Sequence, residues 1–234
     1  MTSVQASEIV WSCPSGPPLD LNGPTVPFRP FREDWVDRPV IDLFQSAAAE
    51  FGDRVACEDI AARSTYAQVW AACRRLTSMI DGAVPAGQAV GILLPNEAAY
   101  PVAILACLAA NRPCLMIDRH HPEERVSAIV RDAGVGAIIL ARSDIVGGLL
   151  LPAGVRTIVI DEALEEGPAP DRPSTSPMSP GAAGFIIYTS GSTGQPKGIA
   201  ISQCAILHRV GQLMNAVHLH PEDKLLSLAS PGTI

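Results

Sequence analysis

The chain has 234 residues and a mass of 24.6 kDa, which is enough for one large domain or two small ones. Its 47% hydrophobic and 18% charged content is typical of a globular protein, and its net charge of −7 argues against nucleic-acid binding. No apolar run approaches the ~20 residues that span a bilayer, and the N-terminus lacks a secretory signal pattern, so we expect a cytoplasmic protein without a membrane partner.

The six cysteines show no C-x-x-C spacing, which removes the usual zinc and redox signatures. We therefore expect buried, reduced thiols and no metal site. His120 and His121 precede Glu123 and Glu124, but this spacing fits no zinc pattern. The start of a helix at Pro122 explains it better.

Residues 1–35 are predicted to form an extended, proline-rich lead-in, because proline at this density prevents a helix. Phe28, Phe31 and Trp35 are candidates for anchoring its end to a surface. Residues 36–234 form the remaining domain.

From residue 40 onward, helical and strand patterns alternate. Helices are predicted over 40–51, from the capping box of Thr65 and Gln68 to about residue 80, from a cap at Asn96 to about 110, from Pro122 to Gly134, and over 206–217. Buried strands are predicted at 89–94, 114–117, 137–140, 157–160, 184–188, around 199–201, and at 225–228. This alternation predicts an α/β fold in which a mostly parallel sheet is flanked by helices.

Residues 161–183 interrupt the alternation with five prolines, and we predict a flexible surface linker there. Its acidic residues Asp161, Glu162, Glu165 and Glu166 are expected to be solvated.

A loop rich in glycine and hydroxyl groups follows the strand that ends at Tyr188. Glycine permits close backbone approach to a ligand, and several N–H and hydroxyl donors beside a lysine suit a polyphosphate. The candidate ligands are Thr189, Ser190, Gly191, Ser192, Thr193, Gly194 and Lys197. This is not a Walker A loop, because Pro196 precedes the lysine and the residues after it are predicted to continue as a strand. On composition alone, a linker or a hairpin tip fits equally well.

The complete string from Tyr188 to Gly198 resembles the phosphate loop of adenylate-forming enzymes, namely acyl-CoA synthetases, aryl acid ligases and the adenylation domains of nonribosomal peptide synthetases. Similar stretches are Ser64-Thr65-Tyr66, residues 108–118, and the run from Pro122 through Arg125 to Asp132-Ala133-Gly134. The resemblance covers about residue 38 to the end. The chain departs from the family pattern at Asn111, where glycine is usual, and at Gln203, where histidine is frequent.

The resemblance implies a reaction in which ATP, usually with Mg²⁺, activates a carboxylic acid to an acyl-adenylate. It also implies transfer of the acyl group to a thiol of coenzyme A or of a carrier protein. The loop would hold the β- and γ-phosphates, and none of its side chains need act as an acid or base, so no catalytic residue is assigned. Tyr66, Trp70 and Tyr188 are expected in the core or in a pocket wall.

The implied fold is a partial N-terminal subdomain of the adenylate-forming enzyme fold. Later family motifs, including the ribose-binding aspartate and the C-terminal domain with its catalytic lysine, do not appear before Ile234. We therefore expect a truncated domain that is inactive alone and poorly soluble or oligomeric. Two alternatives are half of a split enzyme that needs a second chain, and a non-catalytic module that binds a partner.

Overall fold

A computed structural model describes residues 28–146, 151–170, 181–190 and 196–228. After a short 3-10 helix, Glu33–Asp37, the helices are α1 (Val40–Glu50), α2 (Tyr66–Ala83), α3 (Ala99–Ala109), α4 (Glu123–Asp132), α5 (Arg142–Val146), α6 (Ile160–Leu164) and α7 (Gln203–Val217). The strands are β1 (Val55–Glu58), β2 (Arg63–Thr65), β3 (Val90–Ile92), β4 (Cys114–Met116), β5 (Ala137–Leu140), β6 (Arg156–Val159), β7 (Ala183–Ser190) and β8 (Pro196–Ser202).

The main sheet has the strand order β6-β5-β3-β4-β7-β8. All neighbouring strands are parallel except β7 and β8, which pair antiparallel. One apolar cluster packs α2 and α3 on one face of the sheet, and a second packs α4 on the other. The prediction of a mostly parallel sheet flanked by helices is confirmed, because the near-continuous apolar strands bury both of their faces.

Local sequence signals position several helix ends as predicted. Thr65 accepts a hydrogen bond from the Gln68 backbone, and the Gln68 side chain accepts one from the Thr65 backbone, which completes the capping box of α2. Helix α4 ends at Asp132, and Gly134, two residues later, has a φ of 61° that takes the chain out of the helix through the left-handed region. Glu123 and Glu124 occupy the first turn of α4, which confirms a helix start beside the histidine pair.

Two local predictions are wrong, and one pair of strands was not predicted. Residues Leu225–Leu228 are not a strand, because no neighbouring strand of the described chain pairs with them and their leucines are 75–83% exposed. The Asn96 side chain does not cap α3; its amide instead donates to the Ser227 carbonyl at 3.1 Å. The antiparallel pair of β1 and β2 was not predicted, since strands of four and three residues are too short to show alternation.

The predicted linker begins with a short helix, and residues 165–170 after it have no regular secondary structure. Helix α6 buries Ile160 and Ala163, and α2 holds this segment with two arginines. Arg75 donates to the Ala163 carbonyl at 2.8 Å, and Arg74 donates to the Pro170 carbonyl at 2.8 Å. Of the four acidic residues, Glu162, Glu165 and Glu166 are exposed, as predicted. Asp161 is half-buried and accepts a hydrogen bond from the Arg142 backbone, and Glu165 forms a surface ion pair with the Arg142 guanidinium. Residues 171–180 lie outside the described part of the chain.

The end of the predicted lead-in docks on α7, as the three aromatic residues indicated. The Phe31 ring lies over Gly211, and both backbone polar groups of Phe31 bind the Asn215 carboxamide at 2.7 and 3.2 Å. Phe28 stacks on His218 with 4.2 Å between ring centroids, and Trp35 meets Phe31 edge-on. We call residues 28–37 the N-terminal arm; residues 1–27 lie outside the described range.

The five cysteines among the described residues are free, and Cys57 and Cys204 are half-buried. Cys73, Cys107 and Cys114 are fully buried, and burial raises the pKa of the Cys73 thiol to about 12. Within the described ranges, no helix is both long enough and apolar enough to cross a bilayer.

Candidate phosphate-binding site

Strand β7 delivers its C-terminal end to the edge of the sheet where α/β proteins bind ligands. It runs parallel to β4, with Cys114 opposite Phe185, so its last residues lie at the carboxyl edge of the parallel strands. Strand β8 then returns antiparallel from the same edge. The two strands therefore form a hairpin, hereafter the phosphate hairpin. Its turn end, where Ser190 pairs with Pro196, lies at that edge and is called its mouth below.

The register of the phosphate hairpin places two of the candidate ligands side by side. Thr189 is the direct partner of Lys197, and Ser190 is the partner of Pro196. Directly opposed residues share a face of the sheet, with Cβ atoms about 5 Å apart. The Thr189 hydroxyl and the Lys197 ammonium group consequently lie next to each other at the mouth.

Lys197 is exposed, and no carboxylate of the described residues forms an ion pair with it. Because it lies within β8 and not at a helix start, the distinction from a Walker A loop is confirmed. Of the other candidate ligands, Ser190 ends β7, whereas Gly191, Ser192, Thr193 and Gly194 lie outside the described residues.

One ring connects both strands of the phosphate hairpin to α4. The Tyr188 hydroxyl donates to Asp132 Oδ2 at 2.5 Å, and the same ring lies against Gly198, its cross-strand partner. A Cβ atom on Gly198 would lie 3.0 Å from Tyr188 Cζ, so a side chain at this position would require the ring to shift by a few tenths of an ångström. Burial, with the nearby Asp132 carboxylate, raises the pKa of the Tyr188 phenol, which therefore remains a donor at neutral pH.

Sequence reasoning treated Tyr188 as a wall or core residue and gave Asp132 no role beyond family resemblance. The two residues are 56 positions apart in the sequence, and only the fold shows that their side chains are in contact. The one signal in the sequence was the glycine at 198, because a glycine directly opposite a tyrosine on a hairpin indicates a ring lying across the strand.

Gln203, where the family frequently has histidine, has a structural contact in this chain. Its side chain is 1% exposed and its Oε1 accepts from the Val40 backbone at 2.9 Å, at the first turn of α1. Gln203 begins α7 directly after β8, so this bond fastens the base of the phosphate hairpin to α1.

The described residues do not form a cation cage of their own. Among them, no group of three His, Cys, Asp or Glu side chains is placed to hold a metal ion. Mg²⁺ in nucleotide sites commonly binds through phosphates and one or two carboxylates and keeps several waters.

Comparison with known proteins adds the family context. The sequence model described as "AMP-binding enzyme" matches residues 44–234. The chain is 32% identical over 179 residues to the beauvericin nonribosomal cyclodepsipeptide synthetase of Beauveria bassiana, covering 74% of this chain and 6% of that protein. It is 31% identical over 205 residues to the phosphinothricin tripeptide synthetase PhsC of Streptomyces viridochromogenes, covering 83% of this chain and 18% of that protein. The chain thus spans less than a fifth of either relative.

Solved structures share the fold. The AMPPNP-bound nonribosomal peptide synthetase FmoA3 superposes with a TM-score of 0.76 at 24% identity, over 88% of this chain and 21% of that one. The N-terminal subdomain of Klebsiella oxytoca NpsA superposes with a TM-score of 0.60 at 22% identity, over 71% of this chain and 42% of that one. At these identities the likeness establishes the fold alone.

Proposed function

This chain belongs to the AMP-binding enzyme family, and from that premise we propose that it supplies the phosphate-binding part of an ATP-dependent, carboxylic-acid-activating adenylation domain. The acid is an amino acid or another acyl acid, and the acceptor of the activated group is a thiol, on coenzyme A or on a carrier protein. The complete reaction belongs to the complete family enzyme, of which this chain is an N-terminal part.

The pairing of Thr189 with Lys197 across the mouth of the phosphate hairpin carries this proposal. On this face the Lys197 ammonium group can donate a charge-assisted hydrogen bond to a polyphosphate, and the Thr189 hydroxyl can donate a second hydrogen bond beside it. The free edge position of Lys197 leaves its charge available, because none of the described carboxylates neutralises it.

In the proposed reaction the acid carboxylate attacks the α-phosphorus of ATP, an acyl-adenylate forms, and pyrophosphate leaves. Negative charge accumulates on the departing pyrophosphate. Lys197 and the hydroxyls of the loop stabilise that charge and hold the leaving group in line, while Mg²⁺ supplies further charge neutralisation when it is bound. No proton transfer is assigned to Thr189 or Lys197.

The test is calorimetric titration of the purified chain with pyrophosphate and with ATP, using Lys197→Ala and Lys224→Ala. The chain has only these two lysines, so Lys224→Ala is a control matched in charge and in side-chain loss. A charge-assisted hydrogen bond is worth about 1.5–3 kcal/mol, so Lys197→Ala should weaken pyrophosphate binding by roughly tenfold or more.

We expect Lys224→Ala to bind like the parent chain. Equal binding by the parent and both variants would mean that Lys197 does not contact the phosphates. Absence of binding in a folded parent chain would overturn the proposal.

A second candidate function is one half of a split adenylation enzyme, or a module that binds a partner without catalysis. It is favoured by the outer edge of β8, along which no other described strand pairs, and by the exposed leucines at 225, 226 and 228. A split enzyme requires a companion chain that begins with the later family motifs. ATP–pyrophosphate exchange by the two chains together, and by neither alone, would establish it.

A further inference from the structure

We propose that Tyr188 and Asp132 are a positioning pair that fixes the mouth of the phosphate hairpin against α4 and thereby sets its affinity for a polyphosphate. The inference rests on the proposed function, since it assigns the residues that hold the phosphate site in shape. Neither side chain is proposed to touch the phosphates.

The first step is the position of Asp132 at the last residue of α4. A carboxylate at the C-terminal end of a helix is locally unfavourable, because the helix dipole is negative there. A tertiary contact compensates for this placement: Asp132 Oδ2 accepts the hydroxyl proton of Tyr188 at 2.5 Å. A short, charge-assisted bond of this kind is among the stronger hydrogen bonds in proteins.

The second step is the contact of the Tyr188 ring with the partner strand. An added Cβ on Gly198 would lie 3.0 Å from Cζ and 3.1 Å from the hydroxyl oxygen. Tyr188 is a residue of β7, its ring lies against Gly198 of β8, and its hydroxyl is hydrogen-bonded to α4. The ring therefore contacts both strands of the hairpin as well as the helix.

The third step is the place of this contact in the hairpin register. Tyr188 and Gly198 are the pair immediately before Thr189 and Lys197. The alternation of side chains puts Tyr188 and Gly198 on the α4 face and the two candidate ligands on the opposite face. The Tyr188 ring therefore packs on the face of the hairpin opposite to Thr189 and Lys197, one residue pair away from them.

A role in positioning and a role in overall stability make different predictions. Phe185, Ile186 and the Tyr188 ring are all partly buried against the two apolar clusters. The hydrogen bond from the Tyr188 hydroxyl to Asp132 is solvent-exposed, so its removal leaves the packing of the ring in place. Loss of an exposed bond should leave the melting temperature nearly unchanged, whereas a loosened mouth should lower affinity for a ligand that both strands must contact.

The experiment measures tripolyphosphate affinity and melting temperature for Tyr188→Phe, Asp132→Ala and the double variant. Asp132→Asn retains an acceptor for the hydroxyl and serves as the conservative rescue. Tyr66→Phe is the matched control, because Tyr66 stacks on Phe44 away from the hairpin. If Tyr188→Phe does not fold, Asp132→Ala on the helix end tests the same bond.

We expect Tyr188→Phe and Asp132→Ala each to weaken binding about three- to tenfold with little change in melting temperature. The double variant should bind no more weakly than the worse single variant, since the two residues share one bond. Asp132→Asn should bind more tightly than Asp132→Ala, because its amide oxygen accepts the hydroxyl proton without a charge. Tyr66→Phe should bind like the parent chain.

The positioning role would be refuted if Tyr188→Phe and Asp132→Ala bound tripolyphosphate like the parent chain. It would also be refuted if the two losses of affinity added up in the double variant. The outcome separates this inference from the proposed function. If the parent chain binds tripolyphosphate and Lys197→Ala weakens it, the phosphate site stands even when the positioning pair fails.

Discussion

Asn111 has a backbone conformation that usually requires glycine. Its φ of 54° lies in the left-handed region, which costs most L-residues about 1–2 kcal/mol. The Arg112 backbone donates to the Cys107 carbonyl, and the Asn111 backbone donates to Leu108, which is the hydrogen-bond pattern of a Schellman helix end. The same pattern ends α4 at Gly134. Asparagine is thus the most tolerable replacement for the glycine that the family resemblance led us to expect.

This conformation predicts an ordered series of variants at position 111. Asn111→Ala should lower the free energy of unfolding by about 1 kcal/mol, because alanine is strained at positive φ. Asn111→Gly should stay within about 0.5 kcal/mol of the parent, since relieved strain is offset by entropy of the unfolded chain. Urea unfolding measures both, and Gly134→Asn, expected to cost little, repeats the exchange in the reverse direction. An alanine variant as stable as the parent would show that the left-handed turn is not maintained.

At the scale of elements, the N-terminal arm lies outside the residues matched by the family but is built into the fold. Phe31 occupies a slot on α7 that exists only because residue 211 is glycine, since a Cβ there would lie 2.6 Å from the ring. Asn215 then binds both backbone groups of Phe31, as a neighbouring strand would. The arm and the Gln203 contact with Val40 hold the two ends of α7, and α7 follows β8 directly.

Filling the slot should release the arm without weakening the helix. Gly211→Ala gains roughly 1 kcal/mol of helix propensity but forces the Phe31 ring off α7. We expect faster tryptic cleavage after Arg32, the one arginine of the arm not followed by proline. The matched control is Gly82→Ala on α2, where an added Cβ meets nothing within 4 Å. The expectation fails if both glycine variants are cleaved at the parent rate.

Which elements were predictable depended on the range of the interactions that form them. The capping box at Thr65 and the stop at Gly134 are encoded within a few residues, and both were predicted correctly. Leu225–Leu228 has the apolar composition of a strand but no ladder partner in the described chain, and pairing is a long-range property. The segment after Ile160 read as a linker because the arginines that hold it, Arg74 and Arg75, lie about 90 residues away.

The candidate site shows the same division. The glycine-rich string predicted a phosphate ligand set from composition and resemblance, and Lys197 belonged to it. The support behind that string came from Asp132 on another helix and from the Gln203 bond to α1, which no local pattern contains. The types of candidate ligand could be predicted from the sequence, whereas the contacts that position them could be identified only in the fold.

At the scale of the whole molecule, the side of the chain that carries β8 and α7 is unusually apolar for a surface. Ile199 on β8 is 45% exposed, and Leu213 and Val217 on α7 are 47% and 57% exposed. β8 is also an edge strand of seven residues, and unpaired edges beside apolar surface favour association between chains.

The arrangement predicts concentration-dependent self-association of the isolated chain through this side. Ile199→Lys places a charge on the edge strand and should shift the mass measured by light scattering after size exclusion toward the monomer. Ile60→Lys is the matched control, because Ile60 is fully exposed but lies between β1 and β2, away from this edge. Since a lysine at 60 adds the same net charge, a shift produced equally by both variants would assign the effect to charge and not to the edge. A monomeric parent chain at all concentrations would mean that the exposed face is tolerated in water without a partner.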